Sequence, residues 1–210
     1  AGENHETDIQ TLVRNLGSAP AAARTILMDK HNRTNPILYL LWNRQIPAMQ
    51  WREHATVFAD GSKMGDGPAT YGVYNATNKW TYSGGIRDEV DIDRAELWGS
   101  VHAALWAAMY ETAEVFLDSG YAISMWTKDL RTEANRDIIE MIGFIKKAIT
   151  NRDIKFRKVM SHAADHHNAG EQKRRLRWMQ EHYPGIHQKL IAGNATADKL
   201  AKAGVNGHIV

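Results

Sequence analysis

The fold of this chain is decided by the stretch Thr56-Val57-Phe58-Ala59-Asp60-Gly61-Ser62, in which a compact apolar run ends abruptly at an acidic residue and a glycine. The β-branched and aromatic residues within positions 56–59 favour a buried strand. Asp60 follows that strand directly, and ligands of open α/β sheets gather at the carboxyl ends of strands. The stretch therefore predicts a buried strand with a candidate site at its end.

The residues after this strand predict more strands and then a helix. Two strand candidates lie at 69–74 and 79–83, with Gly and Asn between them as in hairpins. Apolar positions then repeat at helical spacing over 93–110, and we expect Asp93 to cap the start of this helix. Three antiparallel strands therefore precede the first helix of this region.

The second half of the chain predicts two further strands. Val115-Phe116-Leu117 reads as a buried strand that ends at Asp118, and Ser119 then begins a helix. The remaining predicted elements are a helix over 133–149, a strand over 154–160 and a final helix over 195–203. The order βββαβααβ, followed by a helix, predicts an α/β fold. Its five-stranded mixed sheet would have three antiparallel strands and then two parallel strands, flanked by helices.

Residues 1–53 carry no catalytic constellation. Apolar positions at helical spacing predict a helix that stops near Gly17 and a second helix over 21–30, after which Asn35-Pro36 breaks the pattern. We expect 1–53 to form a helical N-terminal extension or a connection segment, and 54–210 to form the main domain.

Composition narrows the chemistry available to the chain. Cysteine is absent, and the formal net charge is only +2. The lack of cysteine excludes disulfides and thiolate zinc sites, and it leaves carboxylates and histidines as the strong metal ligands. No apolar run approaches the length of a membrane span, and the N-terminus lacks the basic start and apolar core of a signal peptide. We therefore expect an intracellular protein with no membrane partner.

Positive charge is concentrated in two runs in the second half of the chain. One run has six basic residues within 146–158, and the other has four within 173–177. Either run alone is typical of a solvated surface. Together they leave phosphate binding and a solvated surface as equal alternatives.

Four acidic residues lie where an acid has no structural reason to be, namely Asp60, Glu96, Asp118 and Asp198. Each alone has a plain alternative as a helix cap or a solvated acid. If the strands that end at Asp60 and Asp118 are neighbours, however, all four can converge at one edge of the sheet. Clustered carboxylates raise one another's pKa unless a cation neutralises them. The pattern predicts divalent metal ions and the in-line phosphoryl displacement of nucleases and polymerases.

Five short motifs then occur in a fixed order. They are Phe58-Ala59-Asp60-Gly61-Ser62, Arg94-Ala95-Glu96-Leu97, Leu117-Asp118-Ser119-Gly120-Tyr121, Ser161-His162 and Gly193-Asn194-Ala195-Thr196-Ala197-Asp198-Lys199-Leu200-Ala201. In order and approximate spacing, the chain resembles the ribonuclease H (RNase H) family over roughly residues 55–204. It is most similar to the domains attached to reverse transcriptases of retroviruses and retrotransposons. The resemblance implies an RNase H-like fold and a metal-dependent endonuclease that hydrolyses the RNA strand of RNA–DNA hybrids.

The resemblance also implies a role for each catalytic position. Asp60 would bridge two Mg²⁺ ions, for which Mn²⁺ is an alternative. Glu96 and Asp118 would complete the metal site near the leaving group, and Asp198 would hold the metal that activates water. His162 matches a mobile-loop histidine that assists proton transfer or product release, although a lone histidine is more often structural.

Substrate contacts and partners follow from the same resemblance. The backbone around Gly61 and Ser62 would touch the RNA strand near the scissile phosphate, and Tyr121 would contact the DNA strand. The alternative for Tyr121 is a buried position on its helix, and for Asn194 we favour a helix cap over a substrate contact. The implied partners are an RNA–DNA hybrid and an attached polymerase domain, in the cytoplasm or within a viral or retroelement particle.

The chain departs from the family pattern at residues 163–193, where the family has a short connection. This insertion holds several histidines, but their spacing matches no zinc signature. We expect a basic arm that grips nucleic acid, with Trp178 or Tyr183 packing or stacking. Two other functions stay open: a catalytically silent module of the same fold, and an integrase or resolvase on a related fold, which the Asp-Gly-Ser and Asp-Ser-Gly-Tyr contexts disfavour.

Overall fold

The computed structural model describes residues 51–86, 91–108, 110–130, 132–150, 152–204 and 208–209. The helices predicted within residues 1–50 lie outside the described residues. Within the described part of the chain, no helix is long and apolar enough to span a bilayer.

The described residues form one mixed sheet with helices on both faces. The elements are β1 (Trp51–Lys63), β2 (Ala69–Asn75), β3 (Trp80–Ile86), α1 (Ile92–Ala107), β4 (Tyr110–Leu117), α2 (Gly120–Thr127), α3 (Arg136–Ala148), β5 (Asp153–Lys158), α4 (Ala169–His182), α5 (His187–Ala203) and β6 (His208–Ile209). The strand order is β5-β4-β1-β2-β3-β6. β1, β2 and β3 are antiparallel to one another in turn, whereas β4 and β5 run parallel to β1. The predicted five-stranded mixed sheet is confirmed, and β6 adds a two-residue strand beside β3.

β1 is the centre of this sheet and is buried on both faces. Val57 and Ala59 belong to the larger apolar cluster, which α1, α2 and α3 cover. Phe58 points to the other face, into a smaller cluster with Phe116 beneath α4 and α5. Each fully buried phenylalanine stabilises the fold by about 1.5–3 kcal/mol. Burial on both faces explains why residues 57–59 read as an unbroken apolar run.

The start of α1 differs from the prediction. Asp91, not Asp93, is the N-cap, and its side chain accepts a hydrogen bond from the backbone N–H of Arg94 at 3.3 Å. Asp93 instead lies in the first turn of the helix. Both acids suit a helix N-terminus, so only the backbone geometry distinguishes them. Ser119, where a helix was predicted to begin, is the N-cap of α2, and its side chain accepts a hydrogen bond from the N–H of Ala122 at 3.1 Å.

The last helix is longer than predicted. α5 begins at His187 rather than at residue 195, so Asn194 lies inside the helix and the cap proposed for it is wrong. An isolated glycine such as Gly193 is typical of the end of a helix or of a turn, so the sequence favours a helix boundary there. The actual role of Gly193 is to admit close packing, because a Cβ there would overlap the ring of Phe58. The other boundaries shift by up to five residues. α1 ends at Ala107 rather than 110, and β4 begins at Tyr110 rather than 115. α3 begins at Arg136 rather than 133, and β5 ends at Lys158 rather than 160.

A second glycine sets the distance between α5 and the sheet. Gly72 on β2 is paired with Asp60 on β1. A Cβ at Gly72 would overlap the backbone oxygen of Ala197 and the backbone nitrogen of Ala201. Because these atoms belong to the helix backbone, no side-chain rotation can relieve the overlap. The bare backbone of Gly72 therefore lets α5, which carries Asp198, lie close to Asp60.

We predict that Gly72→Ala destabilises the protein by about 1–3 kcal/mol, since α5 must move away from β2 to admit the methyl group. Gly143→Ala is the matched control. Gly143 lies inside α3 with no atom within 4 Å of a built Cβ, so alanine there should stabilise the protein by about 0.5–1 kcal/mol. Urea unfolding of both variants measures the difference; equal stabilities would contradict the close packing of α5.

Candidate functional site

Three carboxylates meet where β1 and β4 run side by side. Asp60, Glu96 and Asp118 each offer one oxygen, and these atoms lie within 4.8 Å of one another. The parallel register that pairs Ala59 with Leu117 brings Asp60 and Asp118 together. Asp60 lies within β1, which continues to Lys63, rather than after its end as predicted. Glu96 comes from the buried face of α1.

The backbone N–H of Gly61 ties two of these carboxylates together. It donates to Oδ1 of Asp60 at 2.9 Å and to Oε2 of Glu96 at 3.1 Å. A Cβ at Gly61 would lie only 2.9 Å from the backbone nitrogen of Glu96. Glycine at this position therefore allows α1 to approach β1 closely enough for Glu96 to share the site.

Asp198 lies beside this group on α5. Its Oδ2 atom is 2.9 Å from Nζ of Lys202, one helical turn further on. Its charge raises the pKa of both Asp60 and Asp118, which places it in electrostatic range of the other acids. The structure thus brings all four predicted acidic residues to the same region, with Asp198 at the border of the group.

Burial and mutual repulsion both disfavour the ionised acids. Burial is the largest cause of the raised pKa of Asp60, followed by the charges of Asp118, Glu96 and Asp198. Burial, followed by the charge of Asp118, raises the pKa of Glu96. Burial also raises the pKa of Asp118. Asp60 is only 5% exposed and Glu96 only 9%, so water relieves little of this repulsion. An oxygen-only donor set with excess negative charge suits a hard divalent cation, and the residues present fit such an ion.

Two neighbours of Asp118 were not foreseen. Nζ of Lys158, at the end of β5, donates to the backbone oxygen of Asp118. Its charge offsets part of the rise that burial causes in the pKa of Asp118 and of Glu96. Asn194 is 4% exposed, and its side-chain hydrogen bond to Asp118 also offsets part of that rise. The sequence offers a clue to Lys158, because this residue lies on the strand predicted to run parallel to β4. It offers no clue to the contact between Asn194 and Asp118, because a helix cap accounts for an asparagine at that position equally well.

His162 lies in the turn that follows β5. Its backbone has a left-handed φ of 52°, and Nδ1 of its ring is 3.0 Å from Oδ1 of Asp165. The charges of Asp165, Asp198 and Asp60 all raise the pKa of Lys202, after the larger effect of its hydrogen bond to Asp198. The turn with His162 therefore borders the same lysine as the acidic group.

The predicted substrate-contacting residues occupy different environments. Gly61 is buried, and its N–H is used by the carboxylates. The carbonyl of Ser62 accepts from the hydroxyl of Thr70 at 3.2 Å. Tyr121 is half-buried against the larger apolar cluster, and its hydroxyl accepts from the amide of Asn135 at 3.3 Å. A contact between these residues and nucleic acid stays a prediction.

Comparison with known proteins gives a family and a fold. The model of the RNase H family matches residues 52–206. The prototype foamy virus protease-reverse transcriptase is similar with a TM-score of 0.50 and 21% identity, over 72% of this chain and 20% of that chain. RNase H1 of the archaeon Halobacterium salinarum has a TM-score of 0.47 and 18% identity, over 73% of this chain and 98% of its own. The N-terminal RNase H domain of a Mycobacterium tuberculosis protein has a TM-score of 0.48 and 18% identity, over 73% and 94%. No curated protein matches the sequence.

We predict that the protein without metal loses stability as the pH rises from about 4 towards neutrality. Asp60, Glu96 and Asp118 have raised pKa values in the folded protein, so over this range the folded chain binds more protons than the unfolded chain, and stability falls with pH. At pH 7 in EDTA, Asp60→Asn should raise the free energy of unfolding, since a neutral amide removes a buried charge that its acidic neighbours repel. Melting curves in EDTA at pH 5 and pH 7 measure both effects.

Added Mg²⁺ or Mn²⁺ should raise the melting temperature of the wild type at pH 7 and leave that of Asp60→Asn unchanged. Asp66→Asn is the control, because Asp66 is an exposed acid outside the group; it should respond to metal as the wild type does. Equal metal responses in all three proteins would contradict a metal site at Asp60.

Proposed function

The chain belongs to the ribonuclease H family, and on that premise we propose that it is a metal-dependent endonuclease that hydrolyses the RNA strand of RNA–DNA hybrids. The observation that carries the proposal is the group formed by Asp60, Glu96 and Asp118, whose oxygens lie within 4.8 Å of one another. A purely structural domain gains nothing from burying carboxylates that repel one another.

In this proposal, Asp60, Glu96, Asp118 and Asp198 would hold two Mg²⁺ ions, and Mn²⁺ is the alternative. A pair of such ions stabilises the attacking and leaving oxygens of an in-line phosphoryl displacement. The N–H of Gly61 and the charge of Lys158 offset only part of the rise in the pKa of Glu96 that burial causes, so bound cations would be needed to stabilise the ionised forms of the acids. Asn194 fixes the orientation of Asp118 through its side-chain hydrogen bond.

Residues around the acids carry out proton transfer and select the substrate. His162 moves a proton at the scissile phosphate through Nε2, because Nδ1 is engaged by Asp165. The backbone of Gly61 and Ser62 contacts the RNA strand, and Tyr121 contacts the DNA strand. Selection of hybrid depends on the 2′-hydroxyl, which is present on one strand and absent from the other.

The inserted residues 163–193 supply the basic arm in this proposal. On α4, Arg174 and Arg175 both pair with Glu171, and their hydrogen bonds lower the pKa of Glu171 to about 2. Lys173 and Arg177 are exposed one turn apart on the side of α4 away from the buried Met179. These two cations, which have no ion pair within the described residues, contact the phosphates of the hybrid.

We further propose that the domain works within a reverse transcriptase. The similar foamy virus chain is a protease-reverse transcriptase, and the matching part covers 20% of it. Residues 1–53, the last three of which already belong to β1, would then be the connection segment. Residues 54–210 would be the nuclease domain, and a polymerase would be the attached partner.

Cleavage of an end-labelled RNA–DNA hybrid tests the activity. We predict Mg²⁺-dependent cutting of the RNA strand only, no cutting in EDTA, and none of duplex DNA, duplex RNA or single strands. Asp60→Asn should lower the rate on the order of a thousandfold, since several kcal/mol of charge stabilisation are lost, whereas Asp66→Asn should cut at the wild-type rate. Full activity in Asp60→Asn would refute the assigned site. A folded wild type that binds hybrid and never cuts it would favour the silent module.

Charge reversal tests the basic arm. We predict that the double variant Lys173→Glu/Arg177→Glu weakens hybrid binding on the order of tenfold at low salt and reduces the slope of log K against log salt by about 2. The control is Lys79→Glu/Lys128→Glu, which changes the net charge equally at two other exposed lysines and should leave the slope unchanged. Fluorescence anisotropy across a salt series measures both. Identical slopes for the two double variants would show that α4 has no specific phosphate contact.

A further inference from the structure

The inserted helix α4 is attached along the turn that carries His162. We call residues 159–166 the histidine turn. Four side chains from residues 172–183 bond to this turn and to the end of β5 that precedes it. Tyr183 Oη donates to the backbone oxygen of Lys158 (2.5 Å), and the N–H of Met160 donates to Met179 Sδ (3.4 Å). Arg175 Nη1 donates to both the backbone oxygen and Oγ of Ser161 (2.8 and 3.0 Å). Gln172 Nε2 donates to the backbone oxygen of Ala164 (2.6 Å).

Arg175 is the central member of this set. One end of its guanidinium group binds two oxygens of Ser161, and its Nε atom donates to Glu171 at 3.3 Å on the same helix. Its side chain is only 22% exposed, so water competes weakly for these bonds. A planar guanidinium group held at both ends has little freedom left, and it transmits the position of α4 to Ser161, the residue before His162.

The histidine turn itself has a conformation that needs outside support. His162 adopts a φ of 52°, which is costly for a residue with a side chain and persists only where the surroundings enforce it. The carbonyl of His162 accepts from the N–H of His166 at 3.0 Å, and Asp165 holds Nδ1 of the ring. Val159 and Ala163 anchor the turn in the smaller apolar cluster, and the bonds from α4 add a constraint on the more exposed backbone between and after them.

The turn is also next to the acidic group. It begins directly after Lys158, whose Nζ atom bonds to Asp118. At its other end, the charge of Asp165 acts on Lys202, which is paired with Asp198 at 2.9 Å. Both ends of the histidine turn are therefore linked to residues that border the carboxylates.

We propose that α4 holds the histidine turn in place and that Arg175, through Ser161, is a positioning residue for His162. The inference rests on the proposed nuclease function for its catalytic consequence, but the attachment of the turn can be measured without it. In this arrangement the insertion replaces a mobile histidine loop with a fixed one, and proton transfer by His162 depends on a contact made outside the acidic group.

The variant pair Arg175→Leu and Arg174→Leu isolates the contact. Both arginines pair with Glu171, but among the described residues only Arg175 bonds to Ser161. We expect Arg175→Leu to lower kcat by about tenfold to a hundredfold at unchanged KM, since a displacement of about 1 Å has an effect of that size. Arg174→Leu should keep the wild-type kcat. Arg175→Lys should recover part of the loss, because an ammonium group can still reach one oxygen of Ser161.

A second experiment tests whether Arg175 acts through His162. In a His162→Ala background, Arg175→Leu should cause no further loss of kcat, because residues that act as one unit are not additive. An additional loss equal to that in the wild-type background would overturn the proposal, as would an increase in KM alone.

Hydrogen exchange provides the readout that needs no activity. The amide of His166 donates to His162 within the turn, and Arg175→Leu should speed its exchange by tenfold or more, while Arg174→Leu leaves it unchanged. Exchange that is the same in both variants would overturn the attachment. If the wild type cuts no hybrid, the nuclease proposal fails, and the exchange comparison alone still supports or overturns the role of Arg175.

Discussion

The rest of the site depends on one constraint, the parallel pairing of β1 with β4 at the centre of the sheet. This register puts Asp60 and Asp118 beside each other, although both acids lose hydration and repel each other there. The pairing is enforced by apolar packing on both faces, with α1 against one side and α5 against the other. The free energy gained by burying apolar side chains around β1 and β4 thus holds together two carboxylates that would otherwise repel each other apart.

The site also requires the helices to approach the strands closely, and glycines allow this approach on both faces of the sheet. Gly61 admits α1 and uses its N–H to bind two carboxylates. Gly72 and Gly193 admit α5 to β2 and to Phe58. Because each glycine faces backbone or a rigid ring, larger side chains at these positions would move whole helices. The geometry of the acids is therefore fixed by the packing of the helices that carry them.

Much of the fold followed from local patterns, because β1 and β4 contain apolar runs followed directly by acids and apolar residues of α1 recur at helical spacing. The four acids could be named for the same reason, since each interrupts an apolar or small-residue context. Asn194 was misassigned because Gly193 resembles a helix boundary in sequence, and only the ring of Phe58 shows why glycine is there. Lys158 reads as a solvated lysine until β5 is placed beside β4. The attachment of α4 to the histidine turn depends on tertiary contacts that no local pattern encodes.

The position of β5 has a consequence for self-association. In the described part of the chain β5 is an edge strand, and such a strand can recruit another chain through its unpaired N–H and C=O groups. Here that strand carries Lys155, Arg157 and Lys158 within six residues. Two copies that met edge to edge would bring two such strands together. Arg157 is paired with Glu114 at 2.6 Å, but the like charges of Lys155 and Lys158 in facing strands would destabilise the pairing. Lys158, whose Nζ atom bonds to the backbone oxygen of Asp118, thus also disfavours the addition of a second molecule to the edge of the sheet.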